Sequence, residues 1–386
     1  MPDGTVSSPT SAPSLLSHLE CGNCSRMVDA DRLQSVCPEC AGPLLARYRL
    51  SDPSMPTLEE VLSRRPGQFR FHEVLPNSPG AATPSLGEGA TPMIPAMSVG
   101  RSVWVKDEAQ SPTGSFKARG MAVALARNAE FGVTRFHLPS NGNAGAAAAA
   151  YGALHGVAVR VAIPAHTPGA LVAMIRLCGA EVDMVDGSIA DAAAALASED
   201  GFSLATLREP YRVEGKKMMG YEIFWDLGHL PDVIIYPTGG GTGLVGMAKA
   251  FDEMEELGWI GPERPRLVAV QTTGCAPIVR AFHDGAASAD PWLDPDQTAA
   301  YGLLVPSAIG DRLMLSALRA TGGTAVAVEE TEMEEATIRL ASRAGIPGSP
   351  EGGACLAAYE RLVADGTLTE GDDVVLFNTG AATNYW

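Results

Sequence analysis

The sequence has no long hydrophobic run and few basic residues, and each absence excludes a class of protein. No apolar stretch of the 386 residues approaches the ~18 that a membrane-spanning helix needs, and residues 1–20 lack the basic and continuous apolar regions of a secretion signal. Lysine and arginine number 28 against 45 acidic residues, a net charge of −17 that disfavours nucleic acid and anionic membranes as partners. We therefore expect a cytoplasmic protein that binds neither.

The composition is that of a globular protein without internal repeats. Apolar residues make up 46% and charged residues 19%, and at ~150 residues per domain the length predicts two or three domains. Residues 1–20 are rich in serine and proline, which predicts a disordered N-terminal tail.

Four of the seven cysteines lie within twenty residues. The segment CGNCSRMVDADRLQSVCPEC contains two Cys-x-x-Cys pairs separated by twelve residues. Four thiolates can surround one Zn²⁺ tetrahedrally, and metal binding then supplies the folding free energy of a segment that has almost no core. The spacing predicts a structural zinc ribbon over residues 21–50, with disulfides or free thiols as the alternatives. The predicted ligands are Cys21, Cys24, Cys37 and Cys40.

From about residue 85, short apolar strands alternate with glycine-bounded helices. Segments such as VWVK at 103–106 and DVIIY at 232–236 are too apolar to have a solvent face. This alternation indicates βαβ units on a mostly parallel sheet. Ligands bind at the carboxyl ends of such strands, so the pattern predicts an α/β fold with its site there.

The loop PTGGGTG at 237–243 follows one of these strands and runs into a helical pattern. Its glycines let backbone amides approach a phosphate at the positive end of the helix, and Thr242 adds a hydroxyl donor. A dinucleotide site would need an acidic residue after the next strand, which ends in Gln271, and no Walker-type GK[ST] is present. We predict a site for a monophosphate, with a dinucleotide site or a structural glycine turn as the alternatives.

Two further loops carry polar groups at the start of a helix. In SPTGSFKARG, Phe116 would help to bury Lys117 and lower its pKa, as a Schiff-base amine requires, although a solvated surface lysine is the alternative. In SNGNAG, the amides of residues 141–143 suit a carboxylate or a ring oxygen, although a tightly packed helix cap explains the segment equally well.

A basic segment and the last strand complete the set. REPYRVEGKK at 208–217 contains two arginines and two lysines in an acidic protein, which predicts either a phosphate clamp or a solvated charged turn. VVLFNTG places Thr379 at a strand's carboxyl end, where it either reaches the cleft or is an ordinary strand exit.

In this order the five motifs resemble the threonine synthase family of fold type II pyridoxal-phosphate enzymes, and the resemblance spans residues 85–386. It implies two three-layer αβα lobes with mostly parallel sheets and pyridoxal 5′-phosphate between them. The implied large domain covers residues 51–119 and 212–386, and the implied small mobile domain covers 120–211. Relatives are often homodimers, so a homodimer is a further expectation.

The resemblance also assigns roles to residues. Lys117 would form the Schiff base and shuttle protons, and Asn143 would contact the ring hydroxyl of the cofactor. Thr379 would face the pyridine nitrogen, where a neutral partner favours elimination and replacement over transamination. The implied cofactor-binding residues are Phe116, Lys117, Asn143, Gly239, Gly240, Gly241, Thr242, Gly243 and Thr379.

For the substrate, the resemblance implies that Ser140 and Asn141 receive a carboxylate and that Arg212 binds a phosphate. The implied reaction converts O-phospho-L-homoserine and water to L-threonine and phosphate. Three alternatives remain: β-replacement on O-phospho-L-serine, as in cysteate synthase; a threonine or serine dehydratase, whose substrates carry no phosphate; and an inactive zinc-ribbon binding module.

The C-terminus departs from the family pattern. Family members commonly continue after Asn-Thr-Gly with glycine, leucine and lysine, whereas this chain ends in GAATNYW. Because Trp386 lies only seven residues beyond Thr379, we predict that the aromatic C-terminus lies near the cleft and reshapes it.

Overall fold

The computed structural model describes residues 14–77 and 83–386. The described strands are, in chain order, β1 (Leu16–Cys21), β2 (Met27–Val28), β3 (Leu44–Tyr48), β4 (Met93–Pro95), β5 (Val103–Asp107), β6 (Arg135–Pro139), β7 (Ala158–Pro164), β8 (Glu181–Val185), β9 (Phe202–Ser203), β10 (Val233–Pro237), β11 (Arg266–Thr272), β12 (Thr324–Val328) and β13 (Val374–Asn378).

The described helices pack around these strands, and four short 3₁₀ segments connect elements at Gln68–Val74, Glu108–Gln110, Pro112–Gly114 and Ala382–Asn384. In chain order the α-helices are α1 (Leu58–Ser63), α2 (Lys117–Glu130), α3 (Asn143–His155), α4 (Gly169–Leu177), α5 (Ile189–Ala195), α6 (Arg212–Leu227), α7 (Thr242–Glu256), α8 (Pro277–His283), α9 (Asp311–Ala320), α10 (Glu330–Ala344) and α11 (Pro350–Ala364).

A small antiparallel sheet of order β2-β1-β3 forms the N-terminal module and carries the cysteine pairs on its loops. Its core is small, but Leu19, Leu44 and Ala46 are fully buried and join the main hydrophobic core of the protein. The prediction of a disordered tail over 1–20 is wrong from residue 16 onward, because β1 begins there and pairs with β3. Residues 1–13 lie outside the described residues.

The large sheet has the order β12-β11-β10-β13-β5-β4 and is parallel except for β4 at its edge. Its central strands are apolar runs such as VIIYP in β10, in which every residue is buried. Such runs belong to strands covered by helices on both faces. Helices α6 and α7 pack on each other in one layer, and α11 lies against β13.

A second, fully parallel sheet has the order β8-β7-β6-β9 and packs with α3, α4 and α5. Its strands lie between residues 135 and 203, within the segment predicted as the small domain. The α/β fold with mostly parallel sheets is confirmed. The domain boundaries and the mobility of the small domain stay predictions.

Three helices begin where the two parallel sheets present their strand ends. Helix α2 begins at Lys117, α3 begins at Asn143 after a short loop from β6, and α7 begins at Thr242 after the glycine loop from β10. Among the described residues, no helix is both long and apolar enough to cross a lipid bilayer.

Candidate active site

A cavity of about 570 Å³ is lined by residues that follow strands of both parallel sheets. It brings together nearly all of the side chains and loops that the sequence singled out. The predicted residues that line it are Phe116, Lys117, Ser140, Asn141, Asn143, Gly239, Gly240, Gly241, Thr242, Gly243 and Thr379.

Lys117 is the first residue of α2, and no hydrogen bond or ion pair reaches its amine from the residues that the structure describes. Its Nζ lies 3.9 Å from the centroid of the Phe116 ring. Burial lowers the pKa of Lys117 to about 7, with Glu351 opposing the shift and Arg212 adding to it. A large fraction of this amine is therefore unprotonated at neutral pH, as nucleophilic attack on an aldehyde requires.

The glycine loop between β10 and α7 is shaped so that only glycine fits. Gly241 has a φ of 76°, and a Cβ there would lie 2.1 Å from Met314 Sδ. A Cβ on Gly239 would lie 2.1 Å from the carbonyl oxygen of Gly302. The backbone amides at this end of the 15-residue helix α7 therefore face the cavity without side chains, as an anion site requires.

Lys216 completes this anion site, and the sequence indicated it only as one member of a basic segment. Its Nζ donates a hydrogen bond to Thr242 Oγ1 at 2.5 Å and lies 4.9 Å from the Phe116 ring centroid. Burial, together with the cations Arg212 and Lys117, holds the pKa of Lys216 well below its usual range. A phosphate beside this group would restore the charged form, because an anion favours the ammonium.

Arg212 is not among the described residues that line the cavity, although its charge acts on both Lys117 and Lys216, and its contact with a substrate phosphate stays a prediction. It is the first residue of α6 and only 2% exposed, and its guanidinium donates to the carbonyl oxygen of Leu204 at 2.5 Å. The same helix places Lys216, one turn later, on the cavity side. The exposed Arg208, four residues earlier, also lines the cavity.

The Ser140 loop has a structural role as well as a cavity face. Ser140 Oγ accepts hydrogen bonds from the backbone N–H groups of Gly142 and Gly145, at 3.0 and 2.9 Å, and so fixes the start of α3. Asn141 donates through Nδ2 to the carbonyl oxygen of Tyr301 at 3.1 Å, whereas its buried Oδ1 has no partner among the described residues. One amide oxygen of this loop is therefore still free to accept a hydrogen bond.

The C-terminal residues reach the site as predicted, although only in part. Asn143 Nδ2 donates to the Tyr385 hydroxyl at 2.9 Å, and Asn384 Nδ2 donates to Asn143 Oδ1 at 2.8 Å. Tyr385 lines the cavity, whereas Trp386 is 73% exposed and does not. The expected aromatic residue at the cleft is therefore Tyr385.

Two similarity findings define the family. Residues 84–380 match the family described as pyridoxal-phosphate dependent enzymes. The chain is 33% identical to a threonine synthase of Methanosarcina acetivorans, over 94% of this chain and 91% of that protein. It is 32% identical to a threonine synthase of Methanocaldococcus jannaschii, over 93% of this chain and 91% of that protein. The chain belongs to the family of pyridoxal-phosphate-dependent enzymes that includes the threonine synthases.

The fold comparison agrees with this assignment. A fungal L-serine ammonia-lyase from Rhizomucor miehei superposes with a TM-score of 0.64 at 23% identity, covering 76% of this chain and 93% of that chain. This likeness concerns the fold alone. Together with the family match it confirms that the protein is a fold type II pyridoxal-phosphate enzyme.

The residues of the cavity fit this cofactor. Lys117 supplies an unpaired amine, and the glycine loop with Lys216 supplies an anion site for a phosphate. The buried Tyr236 hydroxyl has no partner among the described residues, and a Cβ on Gly243 would lie 2.0 Å from it. Thr379 is 5% exposed and follows β13, so its hydroxyl is available at the cavity wall.

The cysteine cluster fits a single zinc ion. The four Sγ atoms of Cys21, Cys24, Cys37 and Cys40 all lie within 4.8 Å of one another. Contacts of 3.4, 3.5 and 3.7 Å join Cys21 to Cys40, Cys40 to Cys24 and Cys24 to Cys37. Thiolates about 2.3 Å from a central zinc lie ~3.8 Å apart in a tetrahedron, so little adjustment is needed. A closed site of four cysteines leaves no position for catalysis.

Proposed function

We propose that this enzyme converts O-phospho-L-homoserine and water to L-threonine and phosphate. The observation that carries the proposal is that two separate basic side chains, Lys216 and Arg208, accompany Lys117 in one cavity. Lys216 contacts Thr242 at the glycine loop, whereas Arg208 follows β9 of the other sheet. Two phosphates, one on the cofactor and one on the substrate, would account for both cations in a protein with a net charge of −17.

Bound pyridoxal phosphate supplies the electron sink that stabilises negative charge at the substrate Cα. Lys117 Nζ, with its pKa lowered to about 7, is suited to take and return protons at the substrate carbons. The helix α3 amides after Ser140 would orient the substrate carboxylate, and Arg208 would hold the phosphate that leaves from Cγ. The uncharged hydroxyl of Thr379 suits elimination and replacement, as the sequence resemblance implied.

The second candidate is β-replacement on O-phospho-L-serine, which uses the same lysine and the same phosphate contacts. The two substrates differ by one methylene, and a pocket discriminates such a difference by only ~1–3 kcal/mol. The identity of the relatives favours the first reaction, since both threonine synthases match over more than 90% of this chain.

The test is a paired assay of the purified holoenzyme. We expect a visible Schiff-base absorbance band, and release of phosphate and threonine in equal amounts from O-phospho-L-homoserine. Lys117→Ala should lose the band and both products, whereas Arg208→Ala should keep the band and weaken substrate binding. Phosphate release from O-phospho-L-serine alone would favour β-replacement, and no phosphate from either substrate would overturn the proposal.

We also propose that the cysteine cluster is a structural zinc site. Elemental analysis should give one zinc per chain, and Cys37→Ser should release it while the cavity keeps its cofactor band. The half-buried Cys178, which is not part of the cluster, provides the matched control, because Cys178→Ser should leave the zinc content unchanged. A wild-type protein with no bound metal after growth in zinc would contradict the assignment.

A further inference from the structure

Glu351 is a buried carboxylate that the sequence analysis did not assign to the site. It lies in the first turn of the 15-residue helix α11, is 3% exposed and lines the same cavity as Lys117. The positive end of a helix stabilises negative charge, so this position favours a carboxylate. Its charge acts on the amine across the cavity, because Glu351 raises the pKa of Lys117.

The two oxygens of this carboxylate have different surroundings. Oε1 accepts hydrogen bonds from the Gly302 backbone N–H and from the Tyr385 hydroxyl, both at 2.8 Å. Oε2 is buried and has no partner among the described residues. A buried polar atom without a partner is costly, so its retention at a cavity wall points to a ligand atom that it binds.

The C-terminal segment holds this arrangement in place. The Tyr385 ring stacks on Tyr301, with centroids 6.1 Å apart and planes at 16°. Asn384 Nδ2 donates to the carbonyl oxygen of Thr113 at 3.1 Å, next to the segment that leads into Lys117. Tyr385 is therefore a positioning residue that holds Glu351 Oε1 and leaves Oε2 without a partner among the described residues.

We propose that Glu351 is a catalytic base for the addition of water, a step that rests on the proposed function. Lys117 serves the substrate carbons, but water must also lose a proton when its oxygen bonds to Cβ. In this step one water O–H bond breaks, the C–O bond forms at Cβ, and the proton passes to Glu351 Oε2. The released phosphate ends with one proton more than the phosphate ester carried, which balances the proton taken from water.

The partition of products tests this role separately from elimination. Without the base, substrate from which phosphate has left should escape and hydrolyse to 2-oxobutyrate and ammonia. For Glu351→Gln we expect threonine formation to fall at least ~100-fold, within the range of a general base, while phosphate release falls less than about tenfold. Tyr385→Phe, which removes one of two contacts to Oε1, should shift the same ratio less.

The controls separate a lost base from a damaged fold. Glu360→Gln changes a carboxylate on the same helix that pairs with Arg339 away from the cavity, and it should leave the product ratio unchanged. Cofactor content, read by absorbance, should be equal in all variants. Equal loss of phosphate and threonine in Glu351→Gln, or normal threonine yield per phosphate, would overturn the role of Glu351. Failure of the wild type to release phosphate would overturn the proposed function and the inference with it.

Discussion

Helix α2 carries two cations, two residues apart, into opposite environments. Arg119 is fully buried and donates hydrogen bonds to both Glu108 and Glu222, at distances from 2.6 to 2.8 Å. Lys106 joins the same group through Glu222, 3.1 Å away. Lys117 has no ionic partner among the described residues and faces the cavity.

Arg119 is thus a paired charge that stabilises the fold, whereas Lys117 is an unpaired amine at the cavity. The carboxylates raise the pKa of Arg119 above its usual range despite burial, whereas burial without a partner lowers the pKa of Lys117. Lys216 behaves like Lys117, because burial lowers its pKa as well. Titratable groups whose pKa is shifted by burial without a partner cluster at functional sites.

The largest expected effect is on stability, from Arg119→Met. Removal of the arginine leaves Glu108 and Glu222 buried with much of their charge uncompensated, and breaking a buried pair in this way costs about 3–5 kcal/mol. Urea unfolding of the cofactor-free protein measures the change. Arg339→Met is the control, because its pairing with Glu360 is partly exposed and should contribute ~0–1 kcal/mol. Similar values for the two variants would contradict the distinction.

A smaller effect, on binding rather than folding, is expected from Lys216→Met. A hydrogen bond to a charged group contributes about 1.5–3 kcal/mol, so the dissociation constant for pyridoxal phosphate should rise by roughly 10- to 150-fold. Equilibrium dialysis measures this constant. The stability of the cofactor-free protein should stay unchanged or rise, because a buried amine with a lowered pKa is removed. Unchanged cofactor affinity would place the phosphate elsewhere.

Local chemistry explains which parts of the site the sequence predicted. Lys117, the glycine loop and the four cysteines each belong to a short segment whose function depends on neighbours in the chain. Lys117 and the glycine loop line one cavity, and the four cysteines lie together in the N-terminal module. The strand alternation likewise predicted the parallel sheets, because buried parallel strands are continuous apolar runs.

The remaining parts depend on tertiary packing. Arg212 and Lys216 lie one helical turn apart on the same face of α6, and tertiary packing decides that the cavity reaches Lys216 and not Arg212. Glu351 reaches the site through contacts with Gly302 and Tyr385, which are remote in sequence. The composition of residues 1–20 predicted disorder, yet pairing with β3 makes residues 16–20 part of a strand.

The smallest expected effect is a shift in the titration of Lys117. In the cofactor-free protein, labelling by an amine-reactive reagent should be half-maximal near pH 7, since burial lowers the pKa of this lysine from 10.5 to about 7. Glu351→Gln should move the midpoint to lower pH, because Glu351 raises the pKa of Lys117. Mass spectrometry of the Lys117 peptide measures the labelled fraction, with Lys216→Met run in parallel because the charge of Lys117 also acts on the neighbouring amine of Lys216.

The same shift determines how stability depends on pH. Between pH 7 and 10.5 the unfolded chain holds a proton on Lys117 that the folded chain has released, so stability gains from this group as pH rises through that window. Between pH 7 and 10.5, the free energy of unfolding of the cofactor-free wild type should therefore rise relative to that of Lys117→Met. The Arg119→Met variant retains Lys117 and should show the same rise, because Arg119 is paired and charged throughout this pH range in the wild type. In the labelling experiment, a midpoint near pH 10 would mean that the Lys117 amine is solvated. That result would contradict the contrast between Lys117 and Arg119 on α2.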